Sequence, residues 1–191
     1  ISLGKILREV HSIEAPGIGA PASHEEWKYS SWLKALRNKY LKDLFVKSKG
    51  DLYSESEIEM IESYTFFNED LEICSPKMIH GDIALNNCLF KVSGGKIGVV
   101  ALIDPGSLIA GDPMFDIAMK LNDEDEFSAG VIEGYDITDF STDQKNRVKH
   151  LRLLCSYWTS CYAYRTKGDF QSWREKTLKN LEACQNTPKN I

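Results

Sequence analysis

His80-Gly81-Asp82-Ile83-Ala84-Leu85-Asn86-Asn87 opens the stretch that decides the fold, which runs on through Cys88–Val92, Ser93-Gly94-Gly95 and Lys96–Asp104. Both flanks of the Ser-Gly-Gly are rich in Val, Ile, Leu and Phe. That pattern predicts two strands joined by a tight hairpin. A turn centred near Gly94–Gly95 pairs positions whose numbers sum to about 189. Asn87 then falls opposite about Leu102, and Asp104 opposite about Leu85. The hairpin therefore brings Asn87 and Asp104 to one end, although they are 17 residues apart in sequence. Asp82 lies in the loop feeding the same end.

Outward from this hairpin the period changes from strand to helix. Ile1, Leu3, Ile6, Leu7 and Val10 mark one helical face over residues 1–13. Pro16, Gly17, Gly19 and Pro21 make a loop. Ser23-x-x-Glu26 reads as a capping box for a helix carrying Tyr29, Trp32, Leu33, Leu36, Tyr40 and Leu44, which Gly50 ends. A second box, Ser54-x-x-Glu57, opens a helix through about Leu71. Lys77–His80 is a short apolar run. Helical patterns follow over Pro113–Leu121, from Ser141-x-x-Gln144 to Gly168, and from Phe170 to Cys184. The expected fold class is α+β, mainly helical, with one small central β-hairpin.

Composition narrows the function. The chain has 191 residues, 42% apolar and 27% charged. That suits one globular domain over 1–185 with a polar tail at 186–191. Net charge is −5, which predicts no general nucleic-acid partner. The longest apolar stretch, Ile97–Ile103, is too short to cross a bilayer, so no membrane partner is expected. Five cysteines without a C-x-x-C pair predict reduced thiols and a cytoplasmic location.

An amide oxygen and two carboxylates at one hairpin end are hard-oxygen chemistry. Mg²⁺ takes one or two protein oxygens plus phosphate oxygens and waters. Asn87 and Asp104 fit that count, which leaves Asp82 free to accept a proton from a substrate hydroxyl. Phosphoryl transfer asks for little more: a metal, positioning and a group that orients the nucleophile.

The run HGDIALNN, followed by IDPGSLIAGDPMFDIA, resembles the aminoglycoside phosphotransferase and choline kinase-like family, relatives of the protein kinases. Asn86-Asn87 and the last two helices are most similar to the hygromycin B phosphotransferase branch. The Ile-Asp-Pro of the second motif is similar to the streptomycin kinases. The resemblance implies a kinase-like C-terminal lobe. Asp82 would be the catalytic base, with Mg²⁺ on ATP or GTP held by Asn87 and Asp104. His80 would brace the catalytic loop, and Asp116 would hydrogen-bond that loop from the helix beneath. Asn86 would approach the substrate. Asp123-Glu124-Asp125-Glu126 would attract a cationic, hydroxyl-bearing small molecule, aminoglycoside-like by preference, and Trp158 and Tyr162 would wall its cleft.

The family's preceding lobe, with a strand lysine for the nucleotide, has no counterpart in this chain. The isolated 191 residues are therefore expected to show negligible kinase activity without that N-terminal partner lobe. The rival reading is a non-catalytic kinase-like binding module or truncated pseudokinase, which a start codon near Ile1 would favour. Gly17-x-Gly19 reads as a plain loop. His11 is assigned to packing or capping, His24 to the first capping box, and His150 to the polar side of its helix.

Overall fold

The computed structural model describes residues 2–23, 26–106, 108–123 and 125–186. Ile1, His24, Glu124 and the tail beyond Asn186 lie outside the described residues. The mixed helix–sheet architecture agrees with the α+β expectation. Helix α1 (Ser2–Ser12) buries Leu3, Leu7 and His11, one residue per turn along a single face.

The loop expected at Gly17–Gly19 and the helix expected after Ser23 are instead a strand pair, β1 (Ile18–Pro21) and β2 (Trp27–Tyr29). Ser23 and Ala22 amides donate to the Glu26 carbonyl, closing a turn between the two strands. The box therefore caps no helix. Two further short strands, β3 (Lys77–Met78) and β6 (Ala110–Gly111), complete an antiparallel sheet in the order β2-β1-β6-β3. This second sheet was not expected from the sequence.

Helix α2 (Trp32–Leu36) starts at Ser31, whose hydroxyl accepts from the Lys34 amide. The Glu72 carboxylate adds a second cap, accepting from Trp32 and Leu33 amides at 2.7 and 3.3 Å. The chain then runs through a wide turn at Arg37–Leu41, a tight turn at Phe45–Ser48 and α3 (Lys49–Leu52). One continuous helix does not form, because Asp43 turns back to accept from the Phe45 amide. Gly50 lies inside α3 and does not end a helix.

The box at Ser54–Glu57 does open a helix, α4 (Glu55–Tyr64), which stops short of Leu71. After the hairpin come α5 (Met114–Asn122), α6 (Glu126–Tyr135), α7 (Thr142–Arg165) and α8 (Phe170–Gln185). Helix α6 was not foreseen. Helix α7 is the central post: Leu151, Leu153, Leu154, Tyr157 and Cys161 are fully buried against its neighbours. Among the described residues, no helix is long and apolar enough to cross a membrane.

The hairpin is β4 (Cys88–Ser93) and β5 (Lys96–Leu102), turning on Gly94 and Gly95, both at positive φ. Pairs near the turn sum to 189, as in Val92↔Ile97 and Phe90↔Val99. Beyond them Val100 is extra, and Leu89 pairs with Ala101. This bulge corrects the register expected at the far end: Cys88, not Asn87, faces Leu102. The hairpin leaves Leu89, Phe90, Val92, Ile97 and Val100 exposed.

His150 is not on a polar face. Its ring stacks on Tyr64 at 5.8 Å, and Nδ1 is buried without a hydrogen-bond partner. Burial, then the neighbouring Lys149 charge, pulls its pKa down to about 4. Between that value and the unfolded value near 6.5, only the unfolded chain takes up the proton. The stability this neutral ring secures is whole above that window and is lost as pH falls through it. Replacing His150→Phe, which keeps a ring against Tyr64, should flatten the loss by roughly 1 kcal/mol per pH unit in that window, read from urea midpoints.

Candidate active site

Strand β3 delivers the chain to His80 at a crossing of two backbones. Gly81 sits at φ +73, and a Cβ there would lie 2.8 Å from the Leu108 carbonyl oxygen. A Cβ on Gly106 would meet the Gly81 oxygen at 2.6 Å. Only glycine fits either position. The Gly106 amide donates to the His80 carbonyl at 2.7 Å, tying the segment after Asp104 to the loop before Asp82.

Asp116, in the first turn of α5, lies under this crossing and is fully buried. Its Oδ2 accepts from the His80 amide at 2.7 Å and its Oδ1 from the Gly81 amide at 2.8 Å. His80 is buried, and its Nε2 meets the Ile103 carbonyl at 3.0 Å. A carbonyl only accepts, so Nε2 carries the proton.

Asp82 is exposed just beyond. Asn87, buried on the turn at Leu85–Asn87, donates through Nδ2 to the Asp82 backbone oxygen at 2.9 Å and to its Oδ2 at 3.1 Å. The amide nitrogen is thereby turned towards Asp82, and the amide oxygen away from it. The Ile103 amide donates to the Asn87 carbonyl at 2.9 Å. Asp104, the next residue, is exposed and at φ +56. The bulged register still leaves Asn87 and the Asp104 strand end side by side, joined by backbone. Asn86 is exposed on the same turn.

No group of three or more His, Cys, Asp or Glu among the described residues is arranged to hold a metal. One amide oxygen and one carboxylate suit a cation that takes most of its ligands from phosphate and water. They do not form a protein cage.

A groove of about 620 Å³ opens along α5 and α6, lined by Lys120, Asp123, Asp125, Glu126, Ser128 and Glu133 among others. Lys120 is one turn beyond Asp116, and its ammonium pairs with Asp123 at 2.7 Å. Burial raises the Cys88 thiol pKa, and the Lys120 charge opposes that rise. Asp125 caps α6: its carboxylate accepts from the Ser128 amide at 2.7 Å, which holds its pKa down. Glu124 lies outside the described residues. Glu133 and Lys120 were missed by sequence reading. The spacing Glu126–Glu133 spans two helical turns, a signal hidden while α6 was unrecognised.

Trp158 and Tyr162 stack at 5.4 Å with Phe45 edge-on to both. Tyr162 remains 41% exposed, so one face of this stack is open. Asp112, at the foot of α5, is nearly fully buried and bonded by Arg147 Nε at 3.0 Å and Nη2 at 2.6 Å. Burial raises the Asp112 pKa, and the Arg147 charge opposes it. Arg147 also donates to the Glu72 carbonyl at 3.2 Å, so α7 holds the start of α5 in place.

A model of the phosphotransferase enzyme family (APH) matches residues 1–149, and the chain belongs to that family. Solved structures give the same fold. A protein named as a fructosamine-3-kinase candidate from Thermobifida fusca YX-ER1 aligns with TM-score 0.66 at 17% identity, over 97% of this chain and 64% of that one. A thermostable mutant of aminoglycoside phosphotransferase APH(4)-Ia aligns with TM-score 0.64 at 13% identity, over 90% of this chain and 59% of that one. Macrolide 2'-phosphotransferase MphH from Brachybacterium faecium aligns with TM-score 0.50 at 15% identity, over 100% and 60%. The chain thus spans under two thirds of the length of each. No curated protein matches it.

Removing Arg147 strands a buried carboxylate. Arg147→Ala should cost about 3–5 kcal/mol of unfolding free energy. Adding Asp112→Asn should recover part of that loss, because a neutral amide needs no counter-charge. Denaturant melts of the two variants check this.

Proposed function

We propose that this chain is the catalytic and substrate-binding lobe of a small-molecule kinase. It moves the γ-phosphoryl group of ATP or GTP to a substrate hydroxyl. The observation that carries the reading is the Asp82–Asn87 contact, with the Asp104 strand end bonded to the Asn87 backbone, in a member of a phosphotransferase family.

Asp82 projects into solvent at the loop end and accepts the hydroxyl proton. Asn87 holds the Asp82 carboxylate by one hydrogen bond and so fixes its direction. Asn87 Oδ1 and the Asp104 carboxylate would hold Mg²⁺, which supplies charge neutralisation for the phosphates. His80 and Asp116 keep the loop backbone in place. An N-terminal nucleotide lobe would cover the apolar hairpin residues Phe90, Val92 and Ile97, which are exposed here.

The favoured acceptor is aminoglycoside-like, because the groove carries more carboxylates than ammonium groups. Asp123 is partly neutralised by Lys120 and Asp125 is spent on its cap. Glu126 and Glu133 therefore carry most of the attraction for a cation, while the Trp158–Tyr162 stack lies against Phe45 and is not among the residues that line this groove.

In the full-length protein, Asp82→Ala should lower kcat by about 10²–10⁴-fold, with Mg-nucleotide affinity nearly unchanged by equilibrium dialysis. A near-normal kcat removes Asp82 from the role. In the chain alone, Glu126→Gln with Glu133→Gln should weaken kanamycin binding about tenfold at low salt, measured calorimetrically, and less as salt rises.

A further inference from the structure

His11, expected to serve packing or capping, completes a buried chain of hydrogen bonds. Its Nε2 lies 3.1 Å from Asp116 Oδ2, and its Nδ1 lies 2.9 Å from the Tyr135 hydroxyl. Both ends of the His11–Asp116 contact are buried, at 3% and 0% side-chain exposure. Helix α1 meets α5 and the end of α6 here, with His11 more than a hundred residues from both of its partners.

The proton positions follow from chemistry. An ionised carboxylate only accepts, so Nε2 carries a hydrogen. In the neutral ring Nδ1 is then an acceptor, and the Tyr135 hydroxyl donates to it. Tyr135 keeps that proton: burial pushes its pKa up to about 12 against the opposing Arg8 charge.

The frame around this contact is stiff. A Cβ on Gly4 would lie 2.1 Å from the Val131 carbonyl oxygen, so α1 and α6 touch backbone to backbone. The Arg8 guanidinium donates to the carbonyls of Tyr135 and Asp136 and lies over the Tyr135 ring. His11 and Tyr135 meet edge to face at 5.3 Å.

Asp116 Oδ2 therefore serves two donors, the His11 ring and the His80 amide, while Oδ1 serves Gly81. We infer that His11 and Tyr135 are positioning residues for the loop that carries Asp82. They hold the Asp116 carboxylate in the one rotamer that bonds both His80 and Gly81 amides. The assignment rests on the phosphotransfer reading for its purpose, and on the geometry alone for its existence. It also ties the helix bearing Glu126 and Glu133 to the loop, since Tyr135 ends that same helix.

The test is amide hydrogen exchange by NMR on the 191-residue chain, which needs no activity. His11→Ala should speed exchange at His80 and Gly81 by at least about tenfold relative to Leu153 and Leu154 in α7, the scale of a charge-assisted hydrogen bond. His11→Gln, whose amide N–H can replace Nε2–H, should restore most of the protection. Tyr135→Phe should give a smaller local loss and change the His11 ring ¹⁵N shifts. A uniform rise across all amides, with no local excess, would assign His11 to general packing and overturn the inference. So would unchanged exchange at His80 and Gly81, or failure of His11→Gln to differ from His11→Ala. Loss of the local effect leaves the Asp82 kinetics untouched, so the two readings fail separately.

Discussion

The buried carboxylate of Asp116 is the constraint on which the rest of the molecule depends. An ionised carboxylate removed from water costs several kcal/mol unless its lone pairs are filled. Here they are filled by two consecutive backbone amides and a histidine ring. That requirement fixes where the loop at His80–Asp82 sits relative to α5. It also forces the glycine crossing at Gly81 and Gly106, because the loop must lie against the neighbouring backbone to reach Asp116. Asp112 and Arg147 then secure the start of α5 against α7. The packed helices exist, in this sense, to hold one loop still.

Holding the loop still has a chemical consequence. Asp82 lies at its exposed end, and its carboxylate direction is set by Asn87 rather than by solvent. The Asn87 carbonyl in turn receives the amide that precedes Asp104. Three oxygen-bearing side chains are therefore linked through backbone, although two of them are exposed. Phosphoryl transfer rewards such positioning more than it rewards covalent participation. The groove beyond Lys120 is a separate surface on which carboxylates outnumber ammonium groups.

Much of this was legible in sequence, because it rested on local pattern. The capping boxes at Ser54 and Ser141 formed as read, and so did the hairpin turn at Gly94–Gly95. The four-stranded sheet was not legible. Its strands are two to four residues long, and pairs such as Gly19↔Ala110 join positions with no local period. Helix α6 was hidden by Gly130 and Gly134, which lower helix propensity. The bulge at Val100 could not be read from strand composition, and it moved the register at the functional end by one residue. The helical spacing of Tyr29 to Leu44 was real, but a strand, a wide turn and the Asp43 turn divide it. His11 looked like any apolar-flanked histidine, since its partners lie more than a hundred residues away.

We propose that metal and nucleotide phosphates meet at the Asn87–Asp104 end of the hairpin and not in the acidic groove. Paramagnetic broadening by Mn²⁺ with a non-hydrolysable ATP analogue in the full-length protein addresses that claim directly. Amide signals of Asp82, Asn87 and Asp104 should broaden first and together, only when nucleotide is present. Broadening confined to Asp123–Glu133, or a pattern indifferent to nucleotide, would contradict it.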